Sequence, residues 1–223
     1  MQVDADFQLI NEEFYAESVT PEQLDRLLAD GWRHFGTHFF RYNLGLYLDE
    51  IRRVLPLRVR LADLNLSKSQ RRVLRKNADL TVKIQPTETT DETHELFERH
   101  KQRFTSGIPR TIHDFLSIDA ANAPTQGFEV DVRLADRLVA ASFFDVGKTS
   151  ISSVYGIFEP TETSRSLGIF TMLKEIEYAR EASKQFFYPG YAYEGESFYD
   201  YKKRFGASEV FDWKGNWKEL TPD

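Results

Sequence analysis

No cysteine occurs among the 223 residues. That absence excludes disulfides, thiolate zinc sites, iron–sulfur ligation and a cysteine nucleophile together. Histidine is also sparse: five residues, with no His-x-x-x-His pair on a helix. A metal-dependent enzyme is therefore not expected. No apolar run approaches the roughly 20 residues needed to span a bilayer. The opening stretch, MQVDADFQLINEEF, is acidic and lacks the basic-then-apolar layout of a secretory leader. A cytoplasmic protein with no membrane partner is expected. Neither short-period repeats nor low-complexity segments are visible.

Aromatic residues are abundant. With 18 Phe and 10 Tyr in a chain that is 41% hydrophobic, a sizeable core with aromatic walls is within reach of one large domain or two small ones. Charge is unevenly spread. The chain carries a net −6, yet Arg52–Lys76 holds nine Lys/Arg against the single acid Asp63. Such a local cluster reads either as a solvated face or as the footprint of an anionic partner.

Periodicity and capping residues outline the elements. Thr20-Pro21-Glu22-Gln23 opens a helix with a capping box, Leu24, Leu27 and Leu28 form its apolar face, and Gly31 ends it. Residues 38–48 mix aromatics and leucine in a strand-like manner. Residues 55–61 alternate apolar with basic side chains, a half-buried strand whose polar face carries Arg58 and Arg60. Ser67 or Ser69 caps a short helix that displays Arg71, Arg72, Arg75 and Lys76. A strand over 79–85 follows. Pro86 and the polar run after it suggest a boundary between an N-terminal subdomain, 1–86, and the remainder, 87–223. Beyond it the pattern predicts a helix over 92–104, a short helix over 112–118, strands over 128–133, 138–146 and 150–158, a helix over 166–182, and a last strand ending near Pro189-Gly190. The short connections between the three strands make them antiparallel neighbours.

The junction between the strand 150–158 and the following helix is the most informative segment. It contains Arg165-Ser166-Leu167-Gly168 immediately before an amphipathic helix. Free backbone N–H groups and the helix dipole favour an anion there. Gly168 permits close approach, and the Arg165 guanidinium can grip a phosphate by paired hydrogen bonds. The element order from residue 92 is that of the N-acetyltransferase fold: a mixed α/β (α+β) architecture with a mostly antiparallel sheet flanked by helices. Phe170 stands where acetyl-CoA enzymes favour a small residue, which speaks against a pyrophosphate donor.

Two blocks carry a family signature. The first is Ser67-x-Ser69-Gln70-Arg71-Arg72-x-x-x-Lys76-Asn77-x-Asp79-Leu80. The second comprises Ser153-Val154-Tyr155, then Arg165-Ser166-Leu167-Gly168, Leu173 to Glu177, Tyr188-Pro189-Gly190-Tyr191 and Tyr201-Lys202. In this order they resemble the arginyl-tRNA–protein transferases and their bacterial leucyl-transferring relatives of the N-degron pathway. The resemblance runs from about Leu27 to Trp217. It implies transfer of Arg or Leu from charged tRNA to the α-amine of proteins beginning with Asp or Glu, with aminoacyl-tRNA as co-substrate and no cofactor. One departure is plain: the family's N-terminal cysteine cluster is missing from RYNLGLYLDEIRRVLPLRVR. A small-molecule N-acetyltransferase and a non-catalytic module binding N-termini or RNA are the alternatives.

Candidate residues follow from the chemistry. An aminoacyl ester is already activated, so positioning supplies much of the rate and backbone N–H groups can hold the oxyanion. A base for the acceptor amine would help: Asp145 and Glu194 are candidates by location, with Tyr155 at the strand end beside them. The donor tRNA is assigned to Arg165, Ser166, Leu167 and Gly168, and to the basic stretch from Arg58 onward through Arg71, Arg72, Arg75 and Lys76. Some of these cations could instead bind an acidic acceptor. Tyr188, Tyr191, Tyr193, Tyr199 and Tyr201, with Lys202, are candidates for an aminoacyl or acceptor pocket and for stacking on a terminal base.

Overall fold

The structure, a computed structural model, describes residues 8–220. Half of the acidic opening stretch therefore lies outside the described residues. In chain order the elements are β1 (Asn11–Tyr15), α1 (Pro21–Ala29), β2 (Arg33–Phe35), β3 (His38–Tyr42), β4 (Leu44–Tyr47), β5 (Glu50–Arg60), α2 (Lys68–Lys76), β6 (Thr81–Pro86), α3 (Asp91–Lys101), β7 (Gly127–Leu134), β8 (Arg137–Val146), β9 (Ser150–Phe158), α4 (Leu167–Glu181), β10 (Phe186–Tyr193), β11 (Ser208–Phe211) and β12 (Trp217–Glu219).

Three of the four helices begin on reciprocal capping boxes. Thr20 pairs with Gln23, Ser67 with Gln70 and Thr90 with Thr93, each side chain satisfying the other residue's backbone N–H. Leu24 and Leu28 bury one side of α1, while Leu96, Phe97 and His100 bury one side of α3.

The expected antiparallel run is present: β6 pairs with β7, β7 with β8, and β8 with β9. These strands belong to a nine-stranded sheet ordered β12-β11-β5-β10-β9-β8-β7-β6, with β4 attached to β5. A separate sheet, β1-β3-β2, covers part of the N-terminal region. The main core lies between the large sheet and α4, built from Val59, Val130, Val132, Phe144, Ile151, Leu173, Ile176 and Phe187. On the opposite face α3 packs Leu96 and Phe97 against Leu138, Phe143 and Ile157.

Three expectations need correction. The boundary placed at Pro86 does not divide the sheet, because β5 from the N-terminal side pairs with β10 and β11 from the C-terminal side. The helix expected over 112–118 is a single 3-10 turn, Ile112–Asp114. Its continuation is diverted by tertiary contacts: Gly36 N–H donates to the Phe115 carbonyl, and the Phe115 ring stacks on Tyr155 at 3.7 Å. Finally, the tail forms two unforeseen strands, β11 and β12, at the sheet edge.

That edge is fastened by charge. Glu209 on β11, buried, accepts from Arg58 Nε at 2.6 Å and Arg60 Nη1 at 2.9 Å on β5. The Arg58 guanidinium also lies over the rings of Phe186 and Trp217. Arg58 and Arg60 therefore serve the sheet and not the anionic partner expected from their alternation. Glu209→Ala leaves the half-buried Arg58 without its carboxylate. It should destabilise by about 3–5 kcal/mol, read as a fall in thermal midpoint of several degrees; an unchanged midpoint would refute the fastening role.

Candidate active site at the splayed strands

Pro189 sets the geometry. β10 pairs in parallel with β9 only from Phe186–Tyr188 against Ser150–Ser152. Pro189 then has no N–H to offer, Gly190 takes φ +97°, and the register of β10 against β5 shifts between Phe187 and Gly190. Beyond that point β10 stays with β5 while β9 stays with β8 as far as Phe158. The strands part, and a wedge opens between residues 153–158 and 190–193.

Polar side chains converge on this wedge. Arg33 of β2, only 8% exposed, donates to Ser152 Oγ at 2.7 Å and to the Ser153 carbonyl. It thus engages β9 at the point where β10 has departed. Lys202 Nζ donates to the Tyr191 carbonyl at 3.2 Å. From the far side α4 contributes Glu175, which is fully buried. The hydroxyls of Ser142 and Ser153 lie near enough to its carboxyl to favour the charged form as hydrogen-bond donors. Among the described residues no hydrogen bond of regular geometry reaches either Glu175 oxygen, Ser142 Oγ or Tyr155 OH. Buried polar groups without partners are rare, and their concentration here marks a site with work to do on a ligand.

Burial distorts the acid–base properties of these groups. It pushes the Glu175 carboxyl up to about 8, with the serines and Arg33 pulling the other way. It pushes Lys202 down to about 7, assisted by Arg33 and opposed by Glu175. The Tyr155 and Tyr201 hydroxyls are raised, again chiefly by burial. Both phenols stay protonated at neutral pH and can donate. His100 is held down at about 4 by burial and accepts from Phe158 N–H at 3.0 Å, so it is a neutral structural ring. Arg103 lies over Phe158 at 4.3 Å and reaches towards Phe198 at 6.0 Å, spanning the outer end of the wedge.

The expected residues divide into three groups. Tyr155, Tyr201 and Lys202 lie at the wedge. Tyr193 and Tyr199 form an aromatic cluster with Tyr47 at its mouth, at 5.1 and 6.4 Å from the Tyr47 ring. Helix α2 flanks the same region. Gln70 Nε2 donates to the Arg204 carbonyl, and Asn77 Nδ2 to the Arg165 carbonyl. Arg71, Arg72, Arg75 and Lys76 are exposed on it. Arg71 and Lys76 are tethered to the carbonyls of Leu66 and Ser164, and the side chains of Arg72 and Arg75 show no hydrogen bond or ion pair among the described residues.

Other expectations are corrected. Asp145 is not free to act as a base: Oδ2 meets His34 Nε2 at 2.7 Å and Oδ1 accepts from Thr125 at 2.5 Å. Glu194 is exposed, 4.0 Å from Arg53, and away from the buried cluster. Arg165 forms a bidentate pair with Asp79, both bonds 2.9 Å, and a third bond to Glu162. Its fork secures the loop to the end of α2 and is not extended to a ligand. Ser166, in the left-handed region at φ 55°, starts α4. Leu167 is core, and Gly168 lies against Phe158, where a Cβ would come within 3.3 Å of the ring. Phe170 is likewise core, so it carries no information about the donor. Tyr188 packs in a core with Leu24, Leu28 and Phe39, and Tyr191 donates to the Gly31 carbonyl at 2.5 Å; both are structural.

Arg33 and Glu175 were missed from sequence. Arg33 lies in no motif. Glu175 did leave a signal: four-residue spacing aligns Thr171, Glu175 and Ala179, and a lone carboxylate between small residues on the inward row is anomalous.

The chain is similar to several known proteins. Residues 92–212 match the family model described as arginine-tRNA-protein transferase, C terminus. An aspartate/glutamate leucyltransferase of Acinetobacter baylyi is 30% identical over 207 residues, covering 91% of this chain and 73% of the relative. One from Xanthomonas campestris pv. campestris is 31% identical over 175 residues, covering 74% and 69%. Among solved structures, FemX superposes with a TM-score of 0.54 at 12% identity, covering 87% of this chain and 68% of FemX. The C-terminal domain of a putative lysylphosphatidylglycerol synthetase from Agrobacterium fabrum gives 0.52 at 18% identity, covering 83% of this chain and 55% of that one. At these identities the two structures bear on fold alone.

Glu175 makes the stability of the fold depend on pH. Its folded value of about 8 lies above the ordinary 4.5, so the folded state keeps a proton that the unfolded chain releases. This contribution is complete below 4.5 and is lost as pH rises through about 8. Glu175→Gln cannot ionise. Its thermal midpoint should equal that of the parent in acid and exceed it by a growing margin as pH rises across this window; a constant difference would contradict a buried, neutral carboxyl.

Proposed function

The chain belongs to the arginine-tRNA–protein transferase family, and on that premise we propose that it transfers an aminoacyl group from charged tRNA to the α-amine of proteins beginning with Asp or Glu. The names of the relatives favour leucine as the transferred residue. The observation that carries the reading is the wedge at Pro189, with its buried carboxyl, its two cations and the exposed basic helix beside it.

The chemistry asks for little. The acceptor nitrogen attacks the ester carbonyl, a C–N bond forms, the C–O bond to the ribose breaks, and the ribose oxygen leaves as a hydroxyl by taking a proton that the nitrogen sheds on forming the amide. The acceptor ammonium must first give up a proton. Glu175 replaces Asp145 and Glu194 as the proposed recipient, since its oxygens are unengaged. Its value of about 8 is matched to an α-amine at about 7.7–8.0, so proton exchange between the two is nearly balanced. Tyr155 is proposed as a hydrogen-bond donor, and the rim tyrosines Tyr47, Tyr193 and Tyr199 as a platform for the terminal base.

Helix α2 is proposed to hold the tRNA backbone, with Arg72 and Arg75 as the principal contacts and Arg71 and Lys76 beside them. No cofactor enters the scheme. Among the described residues no helix is long and apolar enough to cross a membrane, and a cytoplasmic location is proposed because charged tRNA is found there.

A transfer assay tests the reading directly. Labelled leucine or arginine should pass from charged tRNA to a peptide beginning with Asp or Glu; no incorporation of either would defeat it. In the parent enzyme the rate should climb with pH through about 8, and Glu175→Gln should lower the rate across the range while leaving the shallower limb set by the α-amine at about 7.7–8.0. Replacing Arg72 and Arg75 with Gln should weaken tRNA binding and flatten its dependence on log salt by roughly 0.7–0.9 per lost contact. An unaltered slope would remove α2 from the interface.

A further inference from the structure

Two cations meet at Gly190. A Cβ built there would lie 3.0 Å from Lys202 Nζ and 3.6 Å from an Arg33 terminal nitrogen. Neither cation has a carboxylate within 4.0 Å among the described residues, whereas most of the chain's other arginines are paired with acids. The neighbouring acids are otherwise disposed. Asp145 is engaged by His34 and Thr125, and Glu175 makes no hydrogen bond to either cation. The remaining titratable groups facing the pair are the phenols of Tyr188 and Tyr191, and that of Tyr199, whose ring lies 5.2 Å from Lys202 Nζ. Arg33 is anchored to Ser152 and Ser153, and Lys202 spends one proton on the Tyr191 carbonyl. Both retain donors.

Like charges held together without a counter-ion are costly in a low-dielectric setting. The arrangement is relieved when an anion enters. The missing side chain at Gly190 keeps the space between the cations clear. Glu175 nearby keeps its proton at neutral pH, so it leaves the cations without a counter-charge, and once deprotonated it can accept from an amine. A residue with an amine and a carboxylate a few bonds apart complements such a site at both ends.

Resting on the transferase reading above, we propose that Arg33 and Lys202 form the subsite that selects the side-chain carboxylate of the acceptor's first residue, with Gly190 as its floor. A neutral isostere, Asn or Gln, fills the same space and leaves the cations unpaired. Selectivity then arises from the charge pairing and not from fit.

The test compares kcat/KM for two peptides that differ only in Asp or Asn at the first position. The parent should prefer Asp by on the order of 100-fold or more. Lys202→Met should bring the ratio close to one by losing the Asp peptide alone, and Lys202→Arg should restore much of it. An equal loss for both peptides would show a structural role and overturn the proposal. So would an unchanged ratio with a higher KM for charged tRNA, which would give the cations to the nucleic acid. Should Lys202→Met not fold, the Lys202 ¹³Cε resonance of the parent answers instead. It should shift with the Asp peptide and not with the Asn peptide, and identical responses would overturn the assignment. A parent inactive on every acceptor would instead refute the transferase reading.

Discussion

A missing N–H governs this molecule. Within a sheet every interior strand donates to both neighbours, and a proline there breaks one ladder. Pro189 stands in β10, between β5 and β9. The antiparallel partnership with β5 survives through a register shift, while the parallel partnership with β9 ends after three residue pairs. The wedge is the consequence. Backbone groups along it are released from sheet pairing, and one of them, the Ser153 carbonyl, is taken by Arg33. The N-terminal part of the chain is thereby needed to complete an opening made by the C-terminal part. Together with the pairing of β5 to β10 and β11, this binds the two parts of the chain across residue 86.

The electrostatics follow from the same event. A wedge between strands is narrow and poorly solvated, so each charge placed in it is penalised. Glu175 responds by holding its proton and Lys202 by tending to lose its own. The two shifts bring a weak acid and a weak base towards neutrality from opposite sides. Asp145, one strand away, sits in a settled network with His34 and Thr125. The contrast separates the carboxylate that stabilises from the one that remains poised.

Much of the fold was legible. Capping boxes and alternating strands are local, and Thr20, Ser67, β7, β8, β9 and α4 appear where the pattern placed them. The turn at Ile112 and the tail strands were not, because Gly36, Tyr155 and β5 determine them from far along the chain. The site was legible only in part. Lys202, Tyr155 and Tyr201, singled out from sequence, lie at the wedge, and the basic helix flanks it. Arg165 was given the wrong partner, since nothing local in a four-residue motif reveals that Asp79 will occupy both its terminal nitrogens. Arg33 could not be found from sequence, as its role exists only once β2 lies across the end of the β9–β10 ladder.

The cations therefore belong to two distinct electrostatic regimes. Those on α2 are exposed and face a high-dielectric solvent, where attraction is long-ranged at low salt and screened within about 8–10 Å at ordinary ionic strength. Those at Gly190 are enclosed, so their attraction is short-ranged, strong and almost insensitive to salt. The first arrangement suits a long polyanion that must be gathered and released, and the second suits discrimination of one charge on a small group. Helix α2 joins the two physically, since Gln70 holds the segment bearing Lys202 and Asn77 holds the loop that starts α4. On the proposed reading, the separation lets affinity for the donor and choice of the acceptor vary independently on one scaffold.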